Sequence, residues 1–492
     1  MVSLPNQLNF ILIPLMAPGH IIPMIDMAKL LARHGITVSI IVTPLNAARF
    51  DSVVSRAISS GLPIRLLPVP FPAEEAGLPP GCESADSLPS YSLVPNFFDA
   101  VEKFRAPVDD TLAGLRPLPS CIICDKHLPW TADTCDRLRI PRIVFDGMSC
   151  FAQLVMHRLY ASEIHTTVGP SEPFAVPNLP DKIELTRLQL PGYFNPGSVD
   201  VGSIRQRVKE TEHRAHGVVA NTFAELEGPY LDEYRKLKSG RVWCVGPLSL
   251  FGDDGPLDRA QRGNRASIDA GECIGWMDGQ KPGSVVYACL GSLSRLSPAQ
   301  FVELALGLEL LGRPFILVVK GGDKSEEIEK WISESGFERR VFGERGLLIR
   351  GWAPQVLILS HSAVGGFLTH CGWNSTLEGV SAGVPMITWP IFAEQFLNEK
   401  LVVQVLRTGV GVGVKSVAHL GEETSPENEV GREDIRSAVE RVMDVGREAD
   451  ERRERAKELG RKAKGAVEEG GSSSANVALL VQEITRLIDQ QQ

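Results

Sequence analysis

Residues Trp352 to Gln395 read WAPQVLILSHSAVGGFLTHCGWNSTLEGVSAGVPMITWPIFAEQ. In the middle, Thr369 to Gly379 (THCGWNSTLEG), an apolar run enters a glycine turn that opens a helical pattern. The first N–H groups of such a helix lack intrahelical partners, and the helix dipole adds positive potential there. The result is an anion site suited to a diphosphate. Trp352 at the front offers a flat apolar face, and Glu394 and Gln395 at the end offer an acid beside an amide. Those suit a planar base and a sugar with many hydroxyls, so the stretch points to a nucleotide sugar as ligand.

The surrounding sequence alternates strand and helix patterns. Before the stretch lie apolar runs at Ser284–Leu290, Phe315–Val319 and Gly346–Ile349, with a helical pattern at Pro298–Leu311. Within it, Gly365–Thr369 and Val384–Thr388 are strands and a helix starts near Asn374. The first half of the chain repeats the alternation. Strands are expected at Phe10–Leu15, Thr37–Val42, Ile64–Val69, Ser120–Cys124, Ile140–Phe145, Gly217–Asn221 and Val242–Val245. Ile21, Met24, Ile25, Ala28 and Leu31 share one face of a first helix, which Gly35 stops. Short apolar strands alternating with helices predict parallel sheets covered on both faces, an α/β fold.

With 492 residues, two domains are expected. The polar, Gly-rich run Gly246–Gly271 reads as the linker. This divides the chain into residues 1–245 and residues 272–460, the second of which carries the nucleotide-sugar stretch. Charged helical segments at Arg432–Val467 and Ala475–Ile488 follow, and residues 461–492 are expected to pack back on the first domain. Phe71–Asn96 and Gly169–Gly197 are long loops rich in Pro, equally suited to ligand contact and to plain surface.

The formal net charge of −9 argues against a nucleic-acid partner. Asn9–Met16 (NFILIPLM) follows no basic segment and leads into a Pro-Gly turn, so it reads as a first buried strand, not a secretory signal. No run of about 18 apolar residues predicts a membrane span. Nine scattered cysteines fit reduced thiols in the cytoplasm, and Cys121 and Cys124 read as buried strand residues, not a metal or redox pair. Gly409–Lys415 (GVGVGVK) lacks the spacing of a dinucleotide fingerprint. A monomer is expected.

Trp352–Gln395 resembles the signature box of the plant family 1 glycosyltransferases, which use UDP-sugars. VVYACLGS at Val285–Ser292 and APGH at Ala17–His20 match as well. PNLPDKIELTRLQLP at Pro177–Pro191 resembles the flavonoid- and triterpenoid-modifying subgroup. The resemblance spans essentially the whole chain. It implies the GT-B fold: two doubly wound, Rossmann-like domains facing across a cleft, the first of which binds the acceptor. It also implies roles. Trp352 would stack on uracil, with the Ala353 backbone and Gln355 at the base and Glu378 on the ribose hydroxyls. Ser292, His370, Asn374 and Ser375, with backbone N–H groups near Gly372, would contact the diphosphate. Trp373, Glu394 and Gln395 would face the sugar, a pattern that accompanies UDP-glucose. The chain contains no D-x-D, and the helix start with His370 can stand in for a cation, so no metal or other cofactor is expected.

Transfer of a sugar to a hydroxyl needs a base for the hydroxyl proton. His20 sits between the first strand and the first helix, where the positive helix end disfavours imidazolium and keeps the ring able to accept a proton. Asp125 ends the CIICD strand, where a carboxylate can hold the imidazole in one tautomer. Both coincide with the catalytic pair that the resemblance implies. His127 reads as lining the acceptor pocket or packing. The acceptor loops expected are Phe71–Asn96, Lys126–Trp130, Phe145–Met156 and Pro191–Asn195. Phe97, Phe98, Trp130, Phe145, Phe151 and Phe194 suit either an apolar scaffold for a lipophilic acceptor or the core. The reading is an inverting glucosyltransferase. Competing readings are a UDP-sugar epimerase or hydrolase, a silent nucleotide-sugar binder, and a transferase that forms C- or N-glycosides or extends an existing sugar.

Overall fold

A computed structural model describes residues 8–197, 202–251, 255–293, 296–319, 325–343, 345–419 and 429–490. The chain forms two compact units.

The first unit comprises residues 1–150, 199–254 and 465–492. Its sheet contains β1 (Asn9–Ile13), β2 (Thr37–Val42), β3 (Ile64–Pro68), β4 (Cys121–Asp125), β5 (Arg142–Asp146), β6 (Gly217–Ala220) and β7 (Val242–Cys244). They run in the order β3-β2-β1-β4-β5-β6-β7, all pairs parallel. Central strands of such a sheet are covered on both faces, which is why NFILI and CIICD are buried at every position. Helix α1 (Pro18–Arg33) follows β1 with Pro18 at its first turn, where the missing N–H costs nothing. Gly35 at φ +79° lets the chain leave that helix, a conformation L side chains resist. The C-terminal helix Ser472–Asp489 belongs to this unit. Ser473 Oγ donates to the Gly246 carbonyl (2.5 Å), and His216 Nε2 lies 2.8 Å from Glu483 Oε1.

The second unit comprises residues 151–198 and 255–464. Its sheet contains β8 (Val285–Cys289), β9 (Phe315–Val319), β10 (Gly346–Arg350), β11 (Val364–Thr369), β12 (Met386–Thr388) and β13 (Gly409–Gly411). The order is β10-β9-β8-β11-β12-β13, again parallel throughout. Helix α2 (Pro298–Leu310) is started by Ser297, whose hydroxyl accepts from the Gln300 N–H at 3.2 Å. Helix α3 (Trp373–Ala382) follows β11, and α4 (Gln395–Lys400) follows β12. The charged segment from Arg432 is two helices, Arg432–Met443 and Arg447–Val467.

The units do not divide at a simple linker. Residues 246–251 stay with the first sheet, where the Leu248 N–H donates to Asn221 Oδ1 at 3.0 Å. Residues 151–198 group with the second unit although they precede the linker. The Val417 N–H donates to the Leu188 carbonyl at 2.9 Å, and a Cβ at Gly197 would lie 2.4 Å from His419 Cβ, so that segment packs closely there.

Candidate active site

Both sheets have the same order around their first strand. β1 lies between β2 and β4; β8 lies between β9 and β11. Where successive connections leave in opposite directions, the carboxyl ends of the two central strands frame a crevice in which ligands bind. The carboxyl ends of β1 and β4 carry His20 and Asp125. Those of β8 and β11 carry Gly291, Ser292 and His370.

In the first unit, Ile13 of β1 pairs with Cys124 of β4, which brings the start of α1 beside Asp125. His20 Nδ1 lies 2.6 Å from Asp125 Oδ2, although 105 positions separate them in sequence. The imidazole is partly open to solvent, whereas the carboxylate is 1% exposed. Burial pushes the Asp125 carboxyl up, but His20 and His127 outweigh it and hold the group well below the ordinary carboxylate range. An ionised Asp125 accepts the Nδ1 proton of His20, which puts the unprotonated nitrogen of the ring, the one that can act as a base, at Nε2. His20 also stands in the first turn of α1, at the end where the dipole is positive.

His127 reaches the other carboxylate oxygen. Its Nδ1 and its backbone N–H each lie 2.9 Å from Oδ1. Among the described residues, His20, Asp125 and His127 are the one group with the composition and spacing to hold a metal ion. A metal there would displace both imidazole hydrogen bonds to the carboxylate.

Of the aromatic side chains read as an acceptor scaffold, Phe97, Trp130, Phe145 and Phe151 are buried core. Phe98 and Phe194 are partly exposed, and Phe194 joins an aromatic group with Tyr193 (centroids 5.0 Å apart) and His165 (5.1 Å). Phe145 lies on a strand of the sheet, whereas Phe97 and Phe151 lie on helices and Trp130 at a helix start, and apolar periodicity alone does not separate such core positions from pocket lining.

In the second unit, Cys371 (φ +63°) turns the chain from β11 into α3. That conformation is uncommon and costly for a side chain with a Cβ, and such positions concentrate at functional sites. Gly372 is the N-cap and brings no capping side chain, and the first N–H groups of α3 have no acceptor in a preceding turn of the helix. His370 is held between two glycines. A Cβ at Gly291 would lie 2.3 Å from His370 Cε1, and one at Gly372 would lie 2.4 Å from its Nε2. Gly291 also has φ +80°, so both space and backbone require glycine there. Ser292 is the next residue of this turn.

Glu378 sits on α3, 8% exposed. Gln355 Nε2 donates to its Oε2 at 2.7 Å and to Ser375 Oγ at 3.0 Å; the Tyr287 hydroxyl donates to Gln355 Oε1 at 3.3 Å. The Gln355 amide therefore holds the carboxylate in place from within the protein. Arg262 pairs with the other oxygen, Oε1. Ala353 is buried and Trp352 partly exposed. The Ser267 hydroxyl accepts from the Trp352 N–H at 2.9 Å, and the Ser267 N–H donates to the Trp352 carbonyl at 2.8 Å. Gly351 makes room for this clamp, since a Cβ there would lie 2.2 Å from Ser267 Oγ.

At the end of the box, Gln395 Oε1 accepts from the N–H groups of Ile391 (2.8 Å) and Phe392 (3.0 Å). Asn398 Nδ2 donates to the Cys371 carbonyl at 2.9 Å and to Glu394 Oε1 at 3.3 Å, tying α4 to the turn before α3. Asn374 and the buried Trp373 occupy the first turn of α3. Ser267, Arg262 and Asn398 are additions to the residues read from sequence. The first two lie within the polar run Gly246–Gly271, where no pattern marks them. Asn398 falls three residues beyond the box.

Two parallel sheets, each with polar groups gathered at its switch point, define a glycosyltransferase of the GT-B class. The comparisons agree. Residues 277–444 match the family described as UDP-glucoronosyl and UDP-glucosyl transferase, and residues 6–250 match a glycosyltransferase N-terminal domain. The chain is 51% identical over 483 residues to UDP-glycosyltransferase 73C3 of Arabidopsis thaliana, covering 98% of this chain and 97% of that one. It is 48% identical over 495 residues to UDP-glycosyltransferase 73E1 of Stevia rebaudiana, covering 99% and 98%. The crystal structure of UGT73P12 from Glycyrrhiza uralensis, complexed with glycyrrhetinic acid 3-O-monoglucuronide, is similar with TM-score 0.89 and 36% identity, over 99% and 97% of the two chains. UGT89C1 from Arabidopsis thaliana, complexed with UDP-L-rhamnose, gives TM-score 0.73 and 30% identity over 98% and 100%. The chain belongs to the plant UDP-glycosyltransferases: it is an enzyme that transfers a glycosyl group from a UDP-sugar. Among the described residues, no helix is long and apolar enough to cross a membrane.

Proposed function

We propose that this enzyme transfers glucose from UDP-glucose to a hydroxyl of a lipophilic small molecule of the flavonoid, phenolic, triterpenoid or steroid type, inverting the anomeric centre. The observation that carries this reading is the hydrogen bond of 2.6 Å between His20 and Asp125. His20 Nε2 takes the acceptor proton while the acceptor oxygen bonds to the anomeric carbon. The bond from that carbon to the diphosphate oxygen breaks, and UDP leaves with the electron pair. Asp125 keeps Nδ1 protonated and stabilises the imidazolium that forms.

On the donor side, Trp352 stacks on uracil beside the Ala353 backbone, with Gln355 at the base or holding Glu378. Glu378 accepts from the ribose hydroxyls, and the start of α3 with Ser292, His370, Asn374 and Ser375 receives the diphosphate. Trp373, Glu394 and Gln395 face the sugar. A helix start of this kind supplies the positive potential that a metal otherwise would, and we read the reaction as free of metal and other cofactors. The enzyme acts as a cytoplasmic monomer in this reading.

UGT89C1 with its UDP-L-rhamnose supports a donor site of this fold that accepts sugars other than glucose. UGT73P12 is complexed with a 3-O-monoglucuronide, which favours, as a second reading, an acceptor that already carries a sugar. The test is a donor-by-acceptor panel read by mass spectrometry. UDP-glucose, UDP-galactose, UDP-glucuronic acid and UDP-rhamnose are each offered with free and glycosylated phenols and triterpenes. A mass gain of one hexose with UDP-glucose on a free hydroxyl supports the first reading. Gain on glycosylated acceptors alone supports the second. Free glucose or an epimer with UDP-glucose alone contradicts both.

A further inference from the structure

The carboxylate of Asp125 carries an imidazole on each oxygen. His20 takes Oδ2, and His127 with its own backbone N–H takes Oδ1. A carboxylate held on one oxygen retains freedom to turn about its Cβ–Cγ bond. Two further donors on Oδ1 fix that plane and leave Oδ2 facing His20. The two rings also meet edge-on, with centroids 5.4 Å apart and planes at 87°, so His127 abuts the base whose partner it shares. This goes beyond simple packing: of the two oxygens, one is given wholly to His127 and one to His20.

We propose that His127 is a positioning residue for the His20–Asp125 pair, setting the plane of the carboxylate and through it the tautomer and aim of the His20 ring. The proposal rests on the reading of His20 as general base. The groups facing His127 are Asp125 and His20, with Lys126 adjacent in the chain and itself paired with Asp146 (3.2 Å). Burial pushes the His127 imidazole below the ordinary range; Asp125 acts in the opposite direction, and His20 and Lys126 add to the lowering. A neutral His127 donates its Nδ1–H without cancelling the Asp125 charge, so the full charge remains for the imidazolium on His20.

The test compares His127→Phe, which keeps an aromatic ring without a donor, with His127→Asn, whose amide nitrogen sits where Nδ1 does. His127→Leu serves as the donor-free match in size to Asn should the Phe variant misfold, and UDP binding with thermal melting reports folding. The expected result is kcat lowered about 10- to 100-fold in the donor-free variant, with both KM values within about twofold, and most of the rate restored in His127→Asn. The acid limb of the kcat/KM profile also shifts in the donor-free variant and returns toward wild type in His127→Asn. Equal loss in Asn and donor-free variants overturns the proposal in favour of packing. A raised acceptor KM at unchanged kcat overturns it in favour of pocket lining. His20→Ala is run alongside. If it keeps wild-type kcat, the base reading itself fails; if it is inactive while the donor-free variant is fully active, the positioning role alone fails.

Discussion

His20 Nδ1 lies 2.6 Å from Asp125 Oδ2, at the carboxyl ends of two adjacent parallel strands. The contact joins the first turn of a helix to the last residue of a strand, with 105 positions between them. It exists because β1 and β4 are neighbours in the order β3-β2-β1-β4, a non-sequential pairing that only the folded sheet creates.

Replacing Asp125 by Asn removes the charge while keeping the shape. The amide presents its nitrogen or its oxygen to Nδ1, and the tautomer with the proton on Nδ1 and none on Nε2 is no longer enforced. The expected kcat is lower by about 10²- to 10⁴-fold. UDP affinity should stay near wild type, because the residues assigned to UDP belong to the other unit. Loss of a negative charge beside the imidazole also moves the acid limb of the kcat/KM profile to lower pH. Steady-state kinetics over a pH series, with calorimetric UDP titration, measures all three.

The turn after β8 is a second place where a single atom decides. Gly291→Ala puts a methyl group 2.3 Å from the His370 ring at a φ of +80°. Either the ring or the backbone has to move. The expected outcome is UDP binding weakened by about tenfold or more and a stability loss of roughly 1–3 kcal/mol. Unchanged UDP affinity in a folded Gly291→Ala protein removes His370 from the diphosphate site.

Much of this organisation is legible in the sequence. TVSIIV and FILVV become strands with the bounds read from them, because β-branched residues in short buried runs have few alternatives in an α/β chain. The glycine turn predicts a helix starting near Asn374, and the observed helix starts one residue earlier, at Trp373. Other features depend on long-range contacts. Ser267 and Arg262 lie within the polar run Gly246–Gly271 that reads as linker, and only folding brings Ser267 to Trp352 and Arg262 to Glu378. Gln355 reads as a base contact, yet its amide is engaged with Ser375 and Glu378. His127 carries no sequence signal that separates it from a loop histidine; its position two residues past Asp125 matters once the strand end is seen to turn its side chain back.

Stability should depend on pH through Glu399. Burial pushes its carboxyl up to about 7, against the hydrogen bond donated by the Thr388 hydroxyl at 2.6 Å. The unfolded chain ionises this group near its ordinary value of 4.5. Between those values the folded state holds the extra proton, so stability falls as pH rises through the window and levels off above it. Glu399→Gln keeps an acceptor for Thr388 and does not titrate. Its melting temperature should exceed wild type by a few degrees at about pH 8, and the gap should shrink toward about pH 5. Calorimetry at the two pH values measures this; a gap independent of pH contradicts it.

The central claim is that His20 removes the acceptor proton, and the rate of His20→Ala on acceptors of graded acidity tests it most directly. UDP-glucose binding, checked separately, should remain near wild type. On an aliphatic alcohol the variant should lose about 10²- to 10⁴-fold in kcat, and on a strongly acidic phenol, which ionises without help, the loss should be much smaller. A His20→Ala enzyme with wild-type kcat on the aliphatic alcohol contradicts the account.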